Sequence, residues 1–193
     1  MKLAISTLNS PLLPRLPFLA AAFLSVSSSL LTAQQPPVNS ADVQREAMRK
    51  LTYLNGRWSG PITVTRGPGE PIRLTQSENI EYKLGGLVML VEGKSVAADG
   101  KPQFQALATI SFDDASHTYR FRAYTDGHYV DTDLNVLADG FSWGFTSGPA
   151  HVVNTMHLTA KGQWHETTEV TVGAAPAMHS VDMLLNTNPE HQP

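Results

Sequence analysis

Cysteine is absent from all 193 residues of the chain. The absence excludes disulfides, cysteine nucleophiles, thiolate metal sites and lipid attachment through a cysteine. It does not exclude export, because a domain of this size can bury enough surface to fold without covalent cross-links.

Positive charge is scarce as well. The 14 Lys and Arg residues are outnumbered by 17 Asp and Glu residues and form no cluster. Nucleic-acid binding depends on neutralising phosphates, so we expect no nucleic-acid partner. Anionic membrane surfaces are disfavoured for the same reason.

Long apolar runs are missing too. The run near the N-terminus covers only residues 16–24, whereas a transmembrane helix needs about 20 residues. It follows two basic residues and precedes small residues that end at Ala33. This order predicts a signal peptide over residues 1–33, and hence a secreted or periplasmic protein without stable membrane insertion after cleavage. An uncleaved anchor is the alternative, which Pro14 and Pro17 disfavour because they would disrupt a spanning helix.

Motifs of catalysis are equally scarce. We find no phosphate loop, no dinucleotide fingerprint and no H-E-x-x-H metal motif, and we predict no nucleophile elbow of the G-x-S-x-G type. We therefore expect no metal and no cofactor, leave the catalytic residues unassigned, and favour a binding protein over an enzyme.

A helical pattern opens the part of the chain that follows. Apolar residues recur at helical spacing between positions 43 and 54. Ser40 is the predicted N-cap, and Asn55 with Gly56 marks the predicted end. We expect this amphipathic helix to cover one end or flank of the domain behind it. A helix lying on a membrane surface is the alternative.

Short alternating segments fill the rest of the chain, with turn signals about every 8–12 residues. Asp-Gly pairs at 99–100, 126–127 and 139–140 predict tight two-residue turns between antiparallel neighbours. About ten strands joined in this way avoid exposed edges by closing into a ring. The predicted fold class is therefore all-β, a closed up-and-down antiparallel barrel with one N-terminal α-helix.

The domain plan follows from these boundaries. Removal of the signal peptide leaves 160 residues, with 12 basic against 17 acidic side chains, a size that corresponds to one domain. We assign residues 34–39 to a linker, 40–186 to the barrel with its helix, and 187–193 to a flexible tail.

Two short motifs carry a resemblance to a known superfamily. A Leu-x-Gly-x-Trp-x-Gly stretch is followed much later by a Gly-x-Trp segment, and the matching residues are Leu54, Gly56, Trp58, Gly60, Gly162 and Trp164. With the helix and the hairpins, the chain resembles the calycin superfamily, most closely its bacterial secreted lipocalin-like proteins. The resemblance implies structural roles for Gly56, Trp58 and Gly60 and a small hydrophobic or amphipathic ligand inside the barrel.

The resemblance is incomplete in one respect and suggests one alternative. Many lipocalins place an arginine from a late strand over the first-strand tryptophan, but no arginine follows Arg122 here. Nitrobindin-like barrels, a related group, bind heme through a histidine near the C-terminus. His179 lies in the last predicted strand, so heme binding through His179 is the alternative that the resemblance implies.

One predicted hairpin places a histidine opposite a carboxylate. If Lys161 and Gly162 form a two-residue turn, His157 faces Glu166 across neighbouring strands. A buried pair of this kind would orient a ligand or transfer a proton, which suggests an isomerase or hydrolase as a further alternative. If the turn is one residue longer, the pair does not form, because a register shift of one residue reverses every side chain.

The remaining candidates come from the middle strands. Arg120 and Arg122 would hold a ligand carboxylate if they faced the interior, as in fatty-acid carriers, and they would be solvent-exposed otherwise. Tyr119, Phe121 and Trp143 are candidates for an aromatic lining. A barrel with a filled core, used for protein interaction, is the alternative to all of these ligand hypotheses.

Overall fold

The structure is a computed structural model that describes residues 39–188. The predicted signal peptide, most of the linker and the last five residues lie outside this range. The chain begins with helix α1 (Ser40–Met48), which continues as a 3-10 helix over Arg49–Leu54. The N-cap is Asn39, whose side chain accepts a hydrogen bond from the Ala41 backbone N–H at 3.1 Å. The predicted cap at Ser40 was therefore wrong by one residue, since Asn caps a helix as well as Ser does.

Ten strands follow the helix in the described residues, and each pairs antiparallel with the next. They are β1 (Gly56–Val64), β2 (Ile72–Lys83), β3 (Val88–Val96), β4 (Pro102–Asp113), β5 (Thr118–Thr125), β6 (His128–Val136), β7 (Gly140–Ser147), β8 (Ala150–Leu158), β9 (Trp164–Val172) and β10 (Met178–Thr187). β1 also pairs with β10, with Ile62 opposite Met183, so the sheet closes into a barrel. The predicted fold class is confirmed.

The three Asp-Gly pairs differ in the turns that they form. Asp126 and Gly127 both have positive φ, 46° and 75°, and connect β5 to β6 as the predicted two-residue turn. The pair at 99–100 belongs to a longer connection, in which Ala97 N donates to the Lys101 carbonyl at 2.9 Å. At 139–140, Gly140 already belongs to β7, and its carbonyl accepts a hydrogen bond from Leu137 N at 2.9 Å, so the turn lies one residue earlier than predicted. The hairpin order was thus predicted correctly, but only Asp126 and Gly127 form the turn that was predicted.

The end of the barrel is longer than predicted. β10 includes Thr187, which lies opposite Trp58 of β1. The Asn188 backbone N–H then donates to the Arg57 carbonyl at 2.8 Å. The boundary predicted at residue 186 was therefore short, because pairing with β1 keeps these residues in the sheet.

The N-terminal helices cover one end of the barrel, which we call the closed end. Tyr82 Oη donates to the Met48 carbonyl at 2.6 Å, and Tyr119 Oη donates to the Ala47 carbonyl at 2.7 Å. Trp58 Nε1 donates to the Leu54 carbonyl at 2.8 Å. These bonds attach residues 40–54, which we call the helical segment, to strands β1, β2 and β5. The segment therefore covers one end of the barrel, as predicted from the sequence.

Apolar packing adds to these bonds at the closed end. Three side chains of the helical segment are almost fully buried there, Met48, Leu51 and Leu54. Each such side chain contributes about 1.5–3 kcal/mol relative to exposure. Within residues 39–188, no helix is both long enough and apolar enough to cross a membrane.

Candidate functional site

The barrel encloses a cavity of about 680 Å³. Its walls are mainly apolar side chains that point inward from the strands, among them Ile62, Leu74, Val91, Ala108 and Phe121. The helical segment covers one end. At the opposite end, which we call the mouth, exposed side chains line the cavity, including Arg66, Ile72, His128 and Tyr129.

An aromatic wall forms one side of the cavity. The rings of Phe121 and Trp143 lie 4.3 Å apart between centroids, and Trp143 stacks on Phe145 at 6.0 Å. All three residues line the cavity. Flat rings of this kind bury much apolar area with few rotatable bonds, which suits them to contact an apolar ligand body.

Two carboxylates project into the cavity from β2 and β9. Glu166 Oε2 accepts a hydrogen bond from Trp164 Nε1 at 2.9 Å, and Glu78 Oε1 accepts one from Gln76 Nε2 at 2.6 Å. Both side chains are half-buried, because each faces the cavity while protein atoms enclose it on the other sides.

Burial shifts the titration of both groups. Loss of solvation raises the pKa of Glu166 to about 7, although its hydrogen bond from Trp164 acts in the opposite direction. Loss of solvation also raises the pKa of Glu78 to about 7. The hydrogen bond from Gln76 lowers this pKa, and the negative charge of Glu166 raises it. The two carboxyl groups therefore sit between their neutral and ionised forms near neutral pH.

Gly93 leaves room for one of these carboxyl groups. It lies directly opposite Glu78 in the register of β2 and β3. A Cβ atom at Gly93 would stand 2.9 Å from each carboxyl oxygen of Glu78. Because Gly93 has no side chain, the Glu78 carboxylate can lie against it. An alanine at position 93 would displace this carboxylate.

Two further polar side chains in the cavity wall lack a hydrogen-bond partner on one atom. Gln76 is 3% exposed and Asn154 is 6% exposed, and both line the cavity. Asn154 Oδ1 accepts a bond from Thr168 Oγ1 at 2.6 Å, but Asn154 Nδ2 and Gln76 Oε1 have no partner. Buried polar atoms are nearly always paired, so a hydrogen-bonding partner in the cavity would satisfy them.

Neither Glu78 nor the two amides were predicted from the sequence as site residues. A signal was available in β2, where Gln76 and Glu78 interrupt an alternating apolar series that includes Leu74 and Ile80. Polar residues at positions that the alternation assigns to the interior point to a polar site.

The predicted pair of His157 and Glu166 was wrong. Between β8 and β9, Thr159 N donates to the Gln163 carbonyl at 2.9 Å, which leaves three residues, 160–162, in the loop. His157 therefore lies opposite His165, and Met156 lies opposite Glu166. This loop is one residue longer than the assumed turn. His157 consequently points outward, where its Nδ1 lies 2.8 Å from Asp139 Oδ1, while Glu166 points inward.

The predicted inward role of Arg120 and Arg122 was also wrong. Both guanidinium groups lie on the outer surface and pair with carboxylates of β6, Asp131 for both and Asp133 for Arg120. Hydrogen bonds from Arg122 and Arg120 lower the pKa of Asp131. Alternation along β5 places these arginines outside because Phe121 between them faces the cavity.

The other predicted residues occupy three kinds of position. Phe121 and Trp143 line the cavity, whereas Tyr119 lies at the closed end against the helix. His179 is on the outer surface, 73% exposed, with Nε2 at 3.7 Å from Glu169 Oε1. Heme held through His179 inside the barrel does not fit this position.

The three residues predicted to be structural lie in β1. Trp58 is 3% exposed and meets Trp164 edge to face at a centroid distance of 5.8 Å. A Cβ at Gly60 would stand 2.1 Å from the Leu184 carbonyl, so β1 approaches β10 too closely for a side chain there. Gly56 has φ 123°, a value that favours glycine where the chain enters β1.

The letters G-x-S-x-G do occur at residues 140–144, although the sequence analysis assigned no nucleophile there. A nucleophile elbow requires a sharp turn from a strand into a helix. Ser142 instead lies in the regular pairing of β7, opposite Thr155 of β8. The residues that the structure describes also contain no group of three or more His, Asp or Glu side chains arranged to hold a metal.

We expect the titration of Glu166 to appear in the stability of the protein. The pKa of about 7 exceeds the usual 4.5, so the folded state keeps a proton that the unfolded state releases. The stability from this group is present below pH 4.5 and is lost as the pH rises through 7. Glu166→Gln keeps an acceptor for Trp164 but has no carboxyl group to ionise, so at pH 8 it should be more stable than the native protein. We expect a gain of about 1 kcal/mol, or roughly 3 °C in Tm. The gain is smaller than the whole pKa shift implies, because solvent in the cavity screens the half-buried carboxylate.

Thermal melts at pH 5 and pH 8 measure this difference. Glu169→Gln, an exposed carboxylate on the same strand, is the control and should show no such dependence. A Tm difference between Glu166→Gln and the native protein that is equal at both pH values would contradict the assignment.

These features define a class: a closed ten-stranded antiparallel barrel with an internal cavity and a helix over one end, a fold compatible with ligand binding. Among solved structures, the chain is similar to that titled "Crystal Structure of Rv2717c from M. tuberculosis", with a TM-score of 0.56 and 12% identity, covering 74% of this chain and 97% of that chain. At this identity the similarity shows the fold alone. No protein-family model matches the chain. No curated protein matches it either.

Proposed function

We propose that the protein is a secreted or periplasmic lipocalin-like barrel of the calycin type, which binds a small hydrophobic or amphipathic molecule in its interior. The cavity of about 680 Å³ carries this proposal. Ligand sites in proteins measure about 300–1,000 Å³, with mainly apolar walls and a few polar groups. The apolar walls, the aromatic wall and the two carboxylates match that description.

The geometry weakens the other candidate functions. The cavity argues against a filled core. An isomerase or hydrolase that uses His157 with Glu166 lacks its geometry, because the two side chains lie on opposite faces of the sheet. Ligand binding in the interior therefore has the most support.

The experiment compares one substitution inside the barrel with one outside. N-phenyl-1-naphthylamine is a neutral apolar probe whose fluorescence rises on transfer out of water. Ala123→Trp places an indole in the cavity, where Ala123 lines the wall. Leu107→Trp adds the same group on the outer face of the neighbouring strand, where Leu107 is 42% exposed. We expect Ala123→Trp to weaken probe binding at least tenfold and Leu107→Trp to change it less than twofold.

A second interior variant covers the case in which Ala123→Trp overpacks the core and fails to fold. Val130→Trp also projects into the cavity from β6, next to Ala123. Circular dichroism confirms the fold of each variant before titration. A folded interior variant that binds the probe as the native protein does, or a native protein that does not bind it, would overturn the proposal.

A further inference from the structure

The polar groups of the cavity are unevenly distributed. The titratable residues that line it among residues 39–188 are Glu78 and Glu166 within the barrel and Arg66, His128 and Tyr129 at the mouth. Among residues 39–188, the one lysine or arginine that lines the cavity is Arg66 at the mouth, and it forms no ion pair with either carboxylate. Their charge is balanced neither by an internal ion pair nor by the outward arginines of β5, which pair with β6.

The two carboxylates lie on strands that barrel closure brings near each other. β2 and β9 are separated in the barrel by β1 and β10 only. Trp58 on β1 lies opposite Glu78, and its ring contacts that of Trp164, which donates to Glu166. The charge of Glu166 acts on Glu78 across this gap. Together with Gln76, these two residues form what we call the acidic patch.

When both glutamates are ionised, the hydrogen-bonding atoms left over in the acidic patch are acceptors. Gln76 is 3% exposed; its Nε2 donates to Glu78, and its Oε1 has no partner. Each glutamate accepts one hydrogen bond from a neighbouring side chain and retains further acceptor capacity. Within residues 39–188, one buried donor that lines the cavity lacks a partner, Asn154 Nδ2 on β8. A ligand group that satisfies this patch must therefore supply several hydrogen-bond donors.

We propose that the acidic patch binds the protonated amine of an amphipathic ligand, whose apolar body lies along the aromatic wall formed by Phe121, Trp143 and Phe145. The inference rests on the proposed function and specifies its ligand class. An ammonium group supplies three donors and no acceptor, and its positive charge favours the ionised carboxylates. A carboxylate ligand would meet like charge and acceptors without donors, and a neutral hydroxyl supplies one donor and no charge.

The pH dependence of binding follows from the same groups. An alkylamine stays protonated up to about pH 10, near the value for a lysine side chain. Glu78 and Glu166 ionise around pH 7, so attraction for the amine should grow from pH 5.5 to pH 8. His128 also lines the cavity, but it is exposed to solvent at the mouth, the end opposite the helical segment.

The test uses three ligands with the same apolar body: decylamine, decanol and decanoic acid. Each displaces N-phenyl-1-naphthylamine from the full-length protein at pH 8. We expect decylamine to bind at least tenfold more tightly than decanol, and decanoic acid to bind most weakly. Lowering the pH to 5.5 should weaken decylamine about tenfold and leave decanol within threefold.

The variants assign this preference to the acidic patch. The double variant Glu78→Gln with Glu166→Gln keeps both acceptors for Gln76 and Trp164, and it should bind decylamine no more tightly than decanol. The double variant Glu92→Gln with Glu169→Gln removes two charges outside the cavity and should bind all three ligands as the native protein does.

The outcomes separate this inference from the proposed function. If decanol or decanoic acid binds as tightly as decylamine, or if the Glu78 and Glu166 double variant keeps the preference, the inference is wrong and the proposed function stands. If the probe binds but none of the three ligands displaces it, the inference is again wrong. If the native protein does not bind the probe, both fail.

Discussion

Replacing Trp58 by alanine is expected to destabilise the protein by about 3–5 kcal/mol. The indole is 3% exposed and contacts Trp164 edge to face. Its Nε1 donates to the Leu54 carbonyl, the last residue of the helical segment. Removal of the ring would leave a void at the closed end, release the helical segment from β1 and remove one wall beside Glu78.

Urea unfolding followed by circular dichroism measures this effect. Trp58→Phe separates the two contributions, because it keeps an aromatic ring but removes the donor to Leu54, and it should cost less than the alanine variant. Trp143→Ala serves as the matched control, since Trp143 lies on the cavity wall and is only half-buried. A loss below about 1 kcal/mol for Trp58→Ala would show that this residue does not hold the closed end together.

Gly140→Ala is expected to have the second large effect, a destabilisation of about 3 kcal/mol or more. A Cβ atom at Gly140 would lie 1.8 Å from the Met156 carbonyl oxygen and 2.7 Å from its carbon. Both atoms belong to the backbone of β8, so the clash can be relieved only by separating β7 from β8. That hairpin carries Phe141 and Trp143 on one strand and Asn154 on the other, all of which line the cavity.

Gly93→Ala provides a matched comparison for this prediction. The atoms that a new Cβ would meet at Gly93 belong to the flexible end of the Glu78 side chain rather than to backbone. We therefore expect a stability loss of no more than about 1 kcal/mol, because a side chain can rotate away where a strand cannot. Equal unfolding free energies for the two glycine variants would contradict the close approach of β7 and β8.

The architecture was readable from the residues because its signals are local. Alternation of apolar side chains marks a strand that is buried on one face, as in Phe104, Ala106, Ala108 and Ile110 of β4. Turn residues at short intervals indicate neighbours along the chain rather than crossovers. Ten such strands without a partner for their edges predict closure, which the pairing of β1 with β10 confirms.

The side chains that point into the barrel from a given strand were harder to predict, because the pairing register depends on loop length. The Lys161 and Gly162 region admitted a two-residue or a three-residue loop, and the three-residue loop moved His157 from the cavity to the surface. For Arg120 and Arg122 the open question was which face of β5 points inward, because the arginines alternate with Tyr119, Phe121 and Ala123. The register of a hairpin follows from backbone geometry in the loop, so the residues alone left both faces open.

The sequence by itself determined the strand count, the hairpin order, the helix and the apolar character of the barrel interior, since each depends on neighbours along the chain. Only the tertiary structure decided which polar side chains meet. Glu78 and Glu166 are 88 positions apart in the sequence, on β2 and β9, and interact because the closed barrel leaves only two strands between them. Burial inside that barrel also raises their pKa values, and burial is a property of the enclosing fold rather than of either residue.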